Sequence, residues 1–122
     1  MDTQDIELGN VHNKQNGALG WIFGHFIDPQ SPFHTEAFEM KWKMQPKGKS
    51  KGEAKANKIA KSVSILRSGR FKIDFPDLGK SVVLEKEGDY AYFAPGVRHT
   101  WEALEDSHMM TIRWPSIPGD QQ

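Results

Sequence analysis

The stretch Gly88-Asp89-Tyr90-Ala91-Tyr92-Phe93-Ala94-Pro95-Gly96-Val97-Arg98-His99-Thr100-Trp101 decides how the chain folds. Gly88-Asp89 is a turn signal that hands over to a short, aromatic, β-prone run from Tyr90 to Ala94. Pro95-Gly96 makes a second turn, because proline fixes φ and glycine accepts positive φ. His99 and Trp101 stand two apart on the next expected strand, so both side chains point to one face. Two readings follow from these residues: an ordinary hairpin with a core histidine, or a hairpin that aims a histidine into a barrel.

Outward from this stretch, strand signals recur. Leu19 to Ile27 is a strand candidate whose two glycines suggest a bend or a close backbone approach. Ala37 to Met44 alternates, with Phe38, Met40, Trp42 and Met44 on one face and Glu39, Lys41 and Lys43 on the other. The apolar face is expected inside, where it either fills the core or lines a pocket. Ile59 to Arg67, Arg70 to Phe75, Ser81 to Lys86 and His108 to Trp114 complete the set, with turns at Ser68-Gly69 and Pro76 to Gly79. No helical period appears, which argues for an all-β sandwich or barrel.

At 122 residues the chain is read as a single domain, with residues 1–17 a polar N-terminal arm. Sixteen basic residues balance sixteen acidic ones, so neither nucleic acid nor an anionic membrane is an expected partner. The charge is unevenly spread. Between Lys41 and Lys61 there are eight lysines against Glu53 alone. That segment has almost no apolar content over residues 45–58 and reads as a solvated, mobile loop, with an anion patch as the sharper alternative. Cysteine is absent, which removes disulfides, thiolate metal sites and thiol nucleophiles. The start Met1-Asp2-Thr3-Gln4-Asp5 lacks the basic and apolar segments of a signal peptide, and no apolar run reaches ~18 residues, so a cytoplasmic protein is expected.

The order Gly88, Pro95-Gly96, His99 resembles the second half-motif of the cupin family, Gly…Pro-x-Gly-x-x-His. With Gly69-Arg70-Phe71 and Arg113-Trp114-Pro115-Ser116, the chain looks like small single-domain bacterial cupins over about residues 38–114. The resemblance implies a small antiparallel β-barrel, a double-stranded β-helix or jelly roll, with His99 facing its interior. It also implies a metal-binding first half-motif, His-x-His followed by a glutamate. Counting back from Gly69, the glutamate position falls on Ser62 and the histidines near Lys55 to Asn57. None of those ligands is present. One imidazole cannot hold a divalent ion, and the neighbouring lysines would repel it, so no metal or other cofactor is expected. A site rebuilt from His99 with His25, His34, Glu36 or Glu39 stays open.

No serine elbow, phosphate loop or dinucleotide fingerprint appears. The candidate ligand-binding residues are therefore His99, Trp101, Trp42, Met40, Met44, Tyr92 and Arg113, with His99 the candidate acid or base. Their chemistry suggests a metal-free domain binding a small, partly apolar molecule. An isomerase-, lyase- or dioxygenase-type enzyme using His99, and a structural or interaction module with a filled core, are the alternatives. The resemblance and the exposed edges of a small barrel lead to an expected homodimer, with Trp21-Ile22-Phe23 contributing; light scattering measures this.

Overall fold

Short runs of β-branched and aromatic residues, punctuated by glycine and proline, form eight strands in the computed structural model, which describes residues 5–14 and 20–121. They are β1 (Trp21–Phe23), β2 (Glu39–Gln45), β3 (Lys61–Ser68), β4 (Phe71–Phe75), β5 (Lys80–Leu84), β6 (Tyr90–Phe93), β7 (Thr100–Ala103) and β8 (Ser107–Trp114). One helical turn, α1 (Val11–Lys14), precedes them. Leu19, the expected start of the first strand, lies outside the described residues, as do Asn16 and Gly17 of the arm.

The strands form a five-stranded sheet in the order β1-β2-β8-β3-β6 and a three-stranded sheet in the order β5-β4-β7. Every strand pair is antiparallel. The two sheets face each other as a jelly roll. The residues that decide the fold do not make a hairpin. β6 pairs with β3 in one sheet and β7 with β4 in the other, so Pro95-Gly96 carries the chain across the sandwich. The sequence also places the strands near Leu19–Ile27 and Ala37–Met44 beside the Gly88 stretch, and this is corrected: β8 and β3 separate β2 from β6.

Gly69 makes another crossing, from β3 to β4, at φ +107°. A Cβ there would sit 2.3 Å from the Asp106 carbonyl oxygen, so only glycine fits. The core is the apolar stack between sheets: Leu66, Phe71, Ile73, Phe75, Leu84, Phe93, Ala103 and Met109. Burying each of the larger side chains contributes roughly 1.5–3 kcal/mol. Phe71 stacks on Trp101 at 5.0 Å between ring centroids.

Register sets what else faces inward. Paired residues share a face, so the inner surface of the large sheet is built in rows. Glu39, Arg113, Ser62 and Phe93 make one row, and Lys41, Thr111, Ser64 and Ala91 the next. Lys43, Met109 and Leu66 make a third. The apolar core therefore fills one part of the sandwich and polar rows fill the other.

The parity of β2 is opposite to the sequence expectation. Lys41, Lys43 and Gln45 face inward, while Met40, Trp42 and Met44 face out. The outer face is partly covered locally: the His12 ring meets the Trp42 indole edge-on at 6.3 Å, and Phe23 packs on Phe33 and Phe38. An apolar stripe thus finds cover outside the barrel, which frees the charged stripe to line the inside.

The lysine-rich stretch also differs from expectation. It runs along the open edge of β7 and its flank. Gly48 N donates to Ala103 O at 2.8 Å, Lys51 N to Trp101 O at 3.0 Å, and His99 N to Lys55 O at 2.9 Å. Backbone pairing gives this segment a fixed place, and it turns Lys51 into the interior.

Candidate functional site

Between the polar rows and the small sheet lies a cavity of about 170 Å³. Lys41 and Lys43 reach it from β2, Thr111 and Arg113 from β8, Ser62 and Ser64 from β3, Lys51 from the edge segment, and His99 and Trp101 from β7 and its approach. Phe71, Ile73 and Phe93 form its apolar wall. Among the described residues no carboxylate lines it.

Arg113 is the centre of this arrangement. Its Nη1 donates to Glu39 Oε2 at 3.2 Å, on the side facing a neighbouring cavity. Glu39 is buried, and its other oxygen accepts from the Ser116 hydroxyl at 2.8 Å; that hydroxyl in turn meets His25 Nδ1 at 2.7 Å. With its oxygen turned inward, the Gln121 amide accepts from Arg113 Nη2 at 3.3 Å and from Lys51 Nζ at 3.2 Å. Arg113 Nε and the Ser62 hydroxyl are both buried without a hydrogen-bond partner among the described residues. Buried donors left in this way carry a desolvation cost that a bound acceptor would relieve.

Burial and crowding set the protonation of the basic groups. Desolvation lowers Lys41 to about 8, helped by Arg113, Lys51 and Lys43 and opposed by Glu39. Lys51 also falls to about 8, through burial and the charges of Arg113 and Lys55. Burial pushes Arg113 below its usual range, against the pull of Glu39. His99 drops to about 4, mainly by desolvation. Its Nδ1 lies 3.1 Å from the Val97 carbonyl, which can only accept, so Nδ1 carries the proton and Nε2 keeps its lone pair.

These shifts predict stability against pH. From pH ~8 to ~10.5 the unfolded chain holds more protons on Lys41 and Lys51 than the folded one, so stability rises with pH through that window. At the acid end the unfolded His99 protonates near 6.5 and the folded ring only near 4, so stability falls as pH drops between them. Urea midpoints at pH 4.5, 7 and 10 are expected to increase in that order as far as these groups control them. A midpoint at pH 10 below that at pH 7 would remove the buried lysines from the account.

Of the sequence candidates, the structure brings together His99, Trp101 and Arg113. Trp42, Met40 and Met44 are corrected to the opposite face of β2, Met44 being 45% exposed. Tyr92 is on the outside of the large sheet, beside Trp114 at 6.4 Å. His34 and His25 do not join His99: His34 Nδ1 bonds the Ile27 carbonyl at 2.8 Å, and His25 and Glu39 border the second cavity. Sequence reasoning missed Lys41, Lys43, Lys51, Ser62 and Gln121 as lining groups. The signal for Lys41 and Lys43 was the lysine alternation on β2, opposite Thr111 and Met109 on β8, and that for Ser62 its place in the family's pattern.

The donor set does not fit a divalent metal. His99 Nε2, two serine hydroxyls and amide oxygens stand among four basic side chains, and no group of three His, Asp or Glu occurs among the described residues. Ser62, at the position where the family's pattern has a glutamate ligand, does line the cavity.

No family model matches the chain, and no curated protein matches it. Solved structures do. KdgF from Halomonas sp. is similar at 20% identity and TM-score 0.61, over 70% of this chain and 74% of that one. A cupin protein from Bacteroides fragilis is similar at 20% identity and TM-score 0.58, over 69% and 70%. The DMSP lyase DddQ from Ruegeria pomeroyi DSS-3 is similar at 14% identity and TM-score 0.61, over 78% of this chain and 47% of that one. At such identities the likeness is one of fold.

Proposed function

We propose that this chain, whose fold is that of the cupin superfamily, binds a small organic anion between its sheets. The charged end, a carboxylate or phosphate, sits against Arg113, Lys41 and Lys51. The remainder lies on the wall of Trp101, Phe71, Ile73 and Phe93. The observation that carries this is the lining itself: four basic side chains share one cavity with no acid among the described residues. Basic groups crowded out of water cost stability, and an anion offsets that cost while satisfying Arg113 Nε and the Ser62 hydroxyl.

A catalytic reading is supported by one further observation. Neutral His99, held by Val97 with Nε2 unprotonated, offers the cavity a lone pair that can accept a hydrogen bond or, as a weak base, a proton made acidic by a neighbouring carbonyl. Binding comes first in either case.

A thermal-shift panel of mono- and dicarboxylates, phosphate, neutral analogues and divalent metals, run in chelator-free buffer, tests the reading. An anion at a hundred times its Kd adds roughly 2.7 kcal/mol, a shift of several degrees. Stabilisation by neutral apolar compounds alone, or by divalent metals alone, would reject it.

A further inference from the structure

Lys41 is built differently from the other basic groups of the cavity. It stands on the middle of β2, in the inner row with Thr111 and Ser64, so a paired strand fixes its position. Its Nζ lies 5.1 Å from the centroid of the Trp21 ring, and Arg113 Cζ lies 4.9 Å from the same centroid. One indole therefore borders both an amine and a guanidinium. The recorded side-chain contact of the Lys41 amine is this ring, whereas Lys51 Nζ donates to the inward-turned Gln121 oxygen. A phosphate or carboxylate binder needs a charge at this place, and Arg113 already supplies one, with its Nε still to be satisfied. A second basic group beside it, facing a cavity that no carboxylate of the described residues lines, is an environment that activates an amine as a nucleophile.

We infer that Lys41 forms an imine with the carbonyl of a short oxo acid whose carboxylate is held by Arg113. This rests on the anion reading above and adds the ligand's class to it. In the step, the unprotonated amine adds to the carbonyl carbon, and the π electrons move to oxygen, which takes up a proton to give a carbinolamine. Loss of that hydroxyl as water, with the remaining nitrogen proton, leaves the C=N bond. Amine and ketone become imine and water, with no oxidant or reductant consumed. Burial and the neighbouring cations keep a fraction of the amine unprotonated near neutral pH, as the addition requires.

Reductive trapping tests this. The full chain is incubated with pyruvate or acetoacetate, which place the carbonyl one or two carbons from the carboxylate, and cyanoborohydride supplies the reductant. The expected result is one adduct per chain, mapped by peptide mass to Lys41 in the unaltered protein. It should be suppressed by excess of a non-carbonyl anion and lost in Lys41→Arg, a circular-dichroism spectrum like the parent's showing that the variant folds. Scattered labelling of surface lysines, or no adduct, overturns the imine whether or not oxo acids bind. The anion reading falls separately, only if no anion of the wider panel stabilises the protein.

Discussion

Arg113→Met is expected to be among the most costly substitutions in the chain, by about 3–5 kcal/mol. The loss does not come from the size of the side chain. Glu39 is only 6% exposed, and Arg113 is its guanidinium partner at 3.2 Å. Without it, a buried carboxylate keeps the Ser116 hydroxyl, the more distant His25 ring at 3.9 Å and the weaker pull of the Lys41 charge, and loses its guanidinium. Breaking one side of a buried pair leaves the desolvation cost of the other uncompensated. The companion variant Glu39→Gln with Arg113→Met removes both charges and should recover most of that stability. It should not recover anion binding, because the guanidinium belongs to the cavity as well. Urea denaturation of the single and double variants measures both effects. A single variant as stable as the parent would mean that Glu39 is not held by Arg113.

The second large effect has opposite signs on stability and binding. Lys41→Met replaces a partly buried ammonium with an unbranched apolar chain of similar length. Folding should gain about 1–3 kcal/mol, since the folded state holds this amine near 8 against 10.5 when exposed. Anion affinity should fall by about 10- to 100-fold, the usual size of one lost charge-assisted contact. A group that costs stability and gives affinity is kept for its ligand. If Lys41→Met destabilises the protein and leaves affinity unchanged, the lysine is a packing residue and the cavity is a polar extension of the core.

Much of the fold was legible in the sequence, because turn chemistry is local. Gly69 and Pro95-Gly96 mark two of the four crossings between sheets, and most of the strands fall close to the β-prone runs between turn signals. The partner of each strand was less legible. β6 and β7 are adjacent in sequence and lie in different sheets, which no local signal reports.

Half of the site was legible. The two-residue spacing of His99 and Trp101 gave their shared inward face, and Arg113 was singled out on β8. The face of β2 was misjudged for a physical reason. Alternation reveals that a strand has two unlike sides, and the assumption that the apolar one is inside holds only where the interior is a core. Here the interior at Lys41 is a polar cavity, and His12 meets Trp42 on the outside. Lys51 could not be placed at all, because its position follows from the backbone pairing of the edge segment with β7 and His99, a long-range contact.

The central claim is that the basic groups of the cavity exist to hold an anion. Calorimetric titration of the best anion from the panel, at pH 7 and pH 9.5 and in buffers of different ionisation enthalpy near pH 8, tests it most directly. Lys41 and Lys51 are both about half protonated near pH 8 in the free protein. An anion favours their charged forms, so binding should take up protons near pH 8 and weaken by at least about tenfold at pH 9.5. Affinity that is constant or stronger at pH 9.5, with no proton uptake, would contradict the account.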